Sequence, residues 1–202
     1  MKNKSLIISI AVFLIAFALI RYIQQRPHGQ SIPIGQPLTA SQAVQSAAWR
    51  VYFSPEGGCT EAVVEALSHA RVSVLVQAYS FTSRPIAEAL VDAYKRGAKV
   101  DVIVDKSELH GKGALASLLA ESGISVSVDA VHVIAHNKVM VIDGQTVVTG
   151  SFNFTFAAEK HNAENLLIIQ DRALAERYTD NWHKHREHSE EYQASSPLKM
   201  AA

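Results

Sequence analysis

Ile134–Glu164 reads IAHNKVMVIDGQTVVTGSFNFTFAAEKHNAE, and this stretch holds the densest set of reactive side chains in the chain: His136, Lys138, Asp143, Ser151, Asn153 and Glu164. Val139 to Ile142 is apolar throughout, Thr146 to Thr149 is β-branched, and Asp143-Gly144 lies between them, so the stretch predicts two strands joined by a tight turn. Side chains alternate faces along a strand, so His136 and Lys138, two residues apart, point the same way if the strand begins that early; Ser151 and Asn153 repeat the spacing on the returning chain. A histidine, an ammonium, a hydroxyl and a carboxamide then gather near one end of the hairpin. That set suits a phosphate group: Lys138 neutralises charge, Ser151 and Asn153 donate hydrogen bonds, and His136 does the chemistry.

His136, Lys138 and Asp143 in the pattern His-x-Lys-x4-Asp, followed by Gly150-Ser151-Phe152-Asn153, resemble the signature of the phospholipase D superfamily. The resemblance extends through VQAYSFTS (Val76–Ser83), GSFNFT (Gly150–Thr155) and NAENLLII (Asn162–Ile169), and covers most of the chain from Trp49 to about Trp182. It is strongest to the small bacterial endonucleases of that superfamily, the Nuc type, which carry one such motif per chain.

Phosphodiester cleavage needs a nucleophile on phosphorus and an acid for the leaving oxygen, placed on opposite sides of the phosphate. This chain offers one well-placed histidine, so a two-fold symmetric homodimer that brings two copies of His136 to a shared site is the economical solution. One neutral His136 would attack to form a phosphohistidine, and the protonated copy would serve the leaving group. The resemblance implies the same scheme and a homodimer. It also implies a glutamate at Glu164, whose carboxylate would accept from Nδ1 of the histidine and leave Nε2 free to attack. His136, Lys138, Asp143 and Glu164 form the expected catalytic set, and Lys138, Ser151 and Asn153 the expected phosphate-binding set. Asp143 is the odd member: seven residues from His136 and at the turn, it suits a structural or charge-balancing role, with direct proton handling as the alternative. Positive charge comes from lysine and imidazolium and no carboxylate cluster of the magnesium-holding kind is visible, so no metal or other cofactor is expected.

Around this centre the periodicity switches between strand and helix. Strands are expected at Arg50–Phe53, Ser73–Tyr79, Lys99–Val104, Ile124–Val128 and Leu166–Ile169. Helices are expected at Thr60–Ala70 with Thr60 as N-cap, from Pro85 to Lys95, at Ala114–Glu121, and at Arg172–His188 with Trp182 facing inward. Strands alternating with helices predict an α/β fold with a mixed, largely parallel sheet and helices on both faces. With 202 residues, 48% of them hydrophobic, and no internal repeat, the chain has enough apolar material for one good core.

The expected organisation is a signal peptide or membrane anchor at 1–22, a linker or tail at 23–48, a domain at 49–190 that the resemblance implies is a phospholipase D-like nuclease, and a flexible tail at 191–202. Two lysines precede an apolar run from Leu6 to Ile20 broken by Ser9, which predicts export to the periplasm or medium, or retention at the inner membrane through residues 5–20. Cys59, the single cysteine, excludes an intrachain disulfide and reads as a small buried hydrophobe, with an intersubunit disulfide as the alternative in an exported protein. His183, His185 and His188 read as a solvated helix face, and His28, His69, His110, His132 and His161 have no nameable partner.

The chain balances 19 basic against 19 acidic residues, and cleavage after Ala18 would remove Lys2 and Lys4, leaving 17 against 19 and a net charge of −2. Binding of nucleic acid would then rely on a local patch, for which Lys95, Arg96, Lys106, Lys112 and Lys138 are candidates. Three functions fit these residues: an endonuclease cutting DNA or RNA with little sequence preference, a phospholipid phosphodiesterase, and a catalytically silent binding module.

Overall fold

The computed structural model describes residues 48–109 and 113–192. The expected N-terminal segment and linker, and the tail beyond Tyr192, lie outside these residues. In chain order the elements are β1 (Ala48–Ser54), α1 (Cys59–Ser68), β2 (Ser73–Ala78), α2 (Arg84–Lys95), β3 (Lys99–Asp105), a 3-10 turn (Lys106–Leu109), α3 (Ala116–Glu121), β4 (Ser125–Asp129), β5 (Lys138–Ile142), β6 (Thr146–Gly150), α4 (Phe156–Lys160), β7 (Glu164–Gln170), α5 (Arg172–His188) and β8 (Glu190–Glu191). Among the described residues no helix is long and apolar enough to cross a membrane.

Alternation along β5 shows how the layers assemble. All five of its residues are buried. Met140 and Ile142 join a large core with α1, α2 and α3, while Val139 and Val141 meet Val147 and Leu75 on the other face, under Leu174, Ala175 and Tyr178 of α5. A strand buried on both faces reads as an unbroken apolar run, and Val-Met-Val-Ile is one. Trp182 fastens α5 to the sheet: it is buried, and its Nε1 donates a 2.9 Å hydrogen bond to the Val76 carbonyl. Asp171 caps the helix by accepting from Leu174 N at 3.0 Å.

The eight strands lie in one mixed sheet in the order β1-β7-β6-β5-β2-β3-β4-β8. Its parallel part is confined to β2-β3-β4; every other neighbouring pair is antiparallel, so the expectation of a largely parallel sheet holds only there. The reason is that β5, β6 and β7 are consecutive antiparallel neighbours: a tight turn joins β5 to β6, and the connection through α4 returns the chain to pair β7 beside β6, so neither needs a crossover to a parallel strand. β8 also carries the domain past the expected boundary at 190, since Tyr192 N donates to the Val126 carbonyl at 2.9 Å.

The hairpin forms as expected. Asp143 and Gly144 both take positive φ, 52° and 61°, and Gln145 N closes the turn onto the Ile142 carbonyl at 3.0 Å. The N-cap of α1 differs from expectation. The helix starts at Cys59 with Gly58 as N-cap, and its first amides are satisfied from a distance: Glu159, buried, accepts from Thr60 N at 2.7 Å and Gly58 N at 3.3 Å. A carboxylate at a helix N-terminus meets both the free amides and the positive end of the dipole, so Thr60 need not cap.

Candidate active site

Ala78 pairs with Lys138 in antiparallel register, so the start of β5 lies at the carboxyl end of β2. Val139 pairs with Thr149 and Gly150 with Leu166, which brings the end of β6 and the start of β7 to the same edge of the sheet. His136, Lys138, Ser151 and Glu164 are therefore collected at the carboxyl edge of the parallel strands, the edge at which sheets of this kind present ligand sites.

His136 precedes β5 and is exposed; Lys138, its first residue, is buried. Lys138 Nζ donates a 2.8 Å hydrogen bond to the His136 carbonyl and lies 5.0 Å from the centroid of the Tyr79 ring. The same ring sits 4.5 Å, centroid to centroid, from the imidazole of His136. Tyr79 is thus shared by the two motif residues, and its backbone N–H donates to the Asn137 carbonyl at 2.9 Å. Its role was not anticipated, although it lies within VQAYSFTS.

Burial lowers the pKa of Lys138, and the Glu164 carboxylate opposes that shift. Glu164 thus acts electrostatically on the lysine. The hydrogen bond expected from His136 to Glu164 is not formed among the described residues; the Glu164 carboxylate accepts from Asn162 Nδ2 at 3.2 Å. In the single chain its charge favours the charged form of Lys138, against the burial that lowers the pKa.

Ser151 and Asn153 follow β6 at this edge. Ser151 Oγ accepts from Asn165 N at 3.0 Å, and the amides of Ser151 and Phe152 both donate to the Asn165 carbonyl at 3.1 Å. That close approach explains Gly150: at φ 151° a Cβ there would stand 2.2 Å from the Asn165 carbonyl oxygen. Asn153 Oδ1 is buried with no hydrogen-bond partner among the described residues, the kind of unsatisfied group that recurs in functional sites.

Asp143 is not brought to the site. It occupies the opposite end of β5, where its N–H donates to the Ser73 carbonyl at 2.8 Å. Its carboxylate accepts from the amides of Arg71, Val72 and Ser73 at 2.8–3.2 Å. Seven residues of extended chain put it roughly 20 Å from His136. Its inclusion in the catalytic set is corrected: it closes the turn into β2. The basic patch is divided in the same way. Arg96 Nη2 donates to the Leu67 carbonyl at 2.7 Å, at the end of the sheet where β3 begins, whereas Lys106 Nζ donates to the His132 carbonyl at 2.7 Å beside the loop that carries His136. Lys112 lies outside the described residues.

Asp105, buried at the end of β3, supports that loop by accepting from Ala135 N through Oδ2 at 2.7 Å. Burial pushes its pKa up, but hydrogen bonds from Ser107 and the Ala135 amide outweigh this and hold it below the usual carboxylate range. A second correction concerns the histidines. His185 and His188 do not form a solvated face: with His132 they converge on the fully buried carboxylate of Asp129, at 2.9, 3.3 and 2.9 Å respectively. His183, next to them in sequence, stays exposed beside the Trp182 ring.

The family described as "Cardiolipin synthase, PLD-like domain" matches residues 63–186. A protein named phospholipase D from Rickettsia felis is 40% identical over 191 residues, covering 90% of this chain and 94% of that protein. Among solved structures, the phospholipase D family member Nuc from Salmonella typhimurium superposes with a TM-score of 0.70 at 38% identity, over 73% of this chain and 99% of that one. NucT from Helicobacter pylori does so with a TM-score of 0.66 at 25% identity, over 72% and 99%.

Proposed function

This chain belongs to the phospholipase D-like family of phosphodiesterases, and from that premise we propose that it is an endonuclease that cuts DNA or RNA through a phosphohistidine on His136. The observation that carries the reading is the assembly of an exposed His136 and a buried Lys138 around one Tyr79 ring, with Glu164 favouring the ammonium. An imidazole open to solvent beside a fixed positive charge is what attack on an anionic phosphodiester requires.

In the first step Nε2 of a neutral His136 attacks phosphorus, a P–N bond forms, and the P–O bond to the leaving group breaks. A second, protonated His136 gives its proton to the leaving oxygen. In the second step that histidine, now neutral, takes a proton from water; the P–O bond to water forms and the P–N bond breaks. Lys138, Ser151 and Asn153 hold the non-bridging oxygens. The second histidine comes from a partner copy in a homodimer, since one chain supplies one motif. Charge neutralisation rests on lysine and imidazolium, so neither step requires a metal. We also propose export, to the periplasm or medium or held at the inner membrane, on the strength of the apolar run Leu6–Ile20 behind two lysines.

A second reading is phospholipid head-group hydrolysis by the same residues. It is favoured by the exposed Val131, Val133 and Ile134 on the loop leading to His136, an apolar rim suited to a lipid surface, and by the name of the Rickettsia relative. Nicking of supercoiled plasmid by the full-length chain, set beside head-group release from phospholipid vesicles and with His136→Ala as control, decides between them. Nicking that disappears in the variant is expected. Inert DNA with rapid head-group release would replace the first reading by the second.

A further inference from the structure

Asp129 ends β4, His132 lies three residues on, and His185 and His188 occupy the last turn of α5. Asp129 Oδ2 has His132 Nδ1 at 2.9 Å, His185 Nδ1 at 2.9 Å and His188 Nε2 at 3.3 Å. The three rings stand 5.0–5.5 Å apart, centroid to centroid. One ligand atom from each of the four residues fits within 4.8 Å of all the others. His132 Nδ1 also stands 3.1 Å from Oδ1, so one buried carboxylate is the shared partner of three imidazole nitrogens.

We propose that Asp129, His132, His185 and His188 bind a divalent transition-metal cation of the zinc type, clasping the loop that carries His136 to the end of α5. Imidazole nitrogen and carboxylate oxygen are borderline donors that suit this class of ion. Zinc–ligand bonds of about 2.0–2.1 Å in a tetrahedron put ligand atoms about 3.3–3.4 Å apart, so small ring rotations turn the observed cluster into a coordination shell. Four protein ligands close the shell, as in a structural site, and leave no open position for catalysis. The helix end adds to the attraction, because the carbonyl end of the dipole favours positive charge. The consequence is local: His132 stands four residues before His136, so the ion and Asp105 would fix the two ends of the loop that presents the nucleophile. The inference does not rest on the phosphodiesterase reading.

The test uses the full-length chain, stripped of metal and titrated with Zn2+ against a chromophoric chelator, and separately with Co2+. The expected result is one ion per chain with submicromolar affinity and the intense visible absorption of four-coordinate cobalt. His132→Ala, on the exposed loop, and His185→Ala should each weaken binding by roughly 100-fold, with circular dichroism verifying their fold, while His183→Ala binds as the parent does. Absence of stoichiometric binding, a weak six-coordinate cobalt spectrum, or affinity unchanged in both His132→Ala and His185→Ala would overturn the proposal.

Discussion

Lys138, the first residue of β5, reaches back to donate a 2.8 Å hydrogen bond to the backbone carbonyl of His136, so the buried cation is tied to the residue that carries the exposed imidazole. Burial disfavours the charge on this lysine and Glu164 supports it. A lowered folded pKa means that the charged side chain opposes folding at neutral pH, and this cost is relieved as pH rises through the folded value. Lys138→Met should leave the melting temperature unchanged or raise it, while kcat falls by about 100- to 1000-fold. Thermal denaturation and turnover of the same preparation check this; a variant that unfolds readily yet keeps its specific activity would contradict it.

Asp143 should behave in the opposite way. Its carboxylate satisfies the amides of Arg71, Val72 and Ser73 at the edge far from His136. Asp143→Ala removes those acceptors and leaves a small β-carbon residue at φ 52°, which should cost about 1–3 kcal/mol of stability. Asp143→Asn retains one carbonyl oxygen and tolerates the positive φ, so its loss should be smaller. Both should retain kcat/KM below their melting temperatures. Urea denaturation alongside turnover separates this account from a proton-transfer role, under which Asn would be nearly as inactive as Ala.

Cys59, the first residue of α1, is buried, and burial, with the Glu159 carboxylate second, raises its thiol pKa from 9.0 to about 11. The native thiol should therefore be silent to an aromatic disulfide reagent at pH 8 and react once per chain after denaturation. Because the folded value is raised, its contribution to stability is complete below about pH 9 and fades as pH climbs towards 11. Immediate stoichiometric reaction of the native chain would contradict the buried assignment.

What could be read in the sequence was what the chain determines locally. The hairpin at Asp143-Gly144 needed only a turn dipeptide between two apolar runs, and α5 was delimited by its own periodicity from Arg172 to His188. The gathering of His136, Lys138 and Glu164 was legible through the motif. Three features were not, and each depends on contacts distant in sequence. Glu159 caps α1 from about a hundred residues away, so Thr60 looked like the natural cap. Tyr79 reaches its place because β2 pairs antiparallel with β5. His185 and His188 join His132 at Asp129 only because α5 crosses the sheet back to β4; on a helical wheel the two are merely polar. The sheet's antiparallel edges likewise depend on β1 and β8 returning to pair with β7 and β4, strands distant from them in sequence.

The most direct test of His136 as nucleophile is the stereochemical course at phosphorus. The full-length chain would cleave a DNA substrate carrying a single phosphorothioate of known configuration, in oxygen-18 water. Two successive in-line displacements, the first by His136 and the second by water, predict net retention of configuration. Net inversion would mean that water attacks the phosphodiester directly, and would contradict the phosphohistidine account.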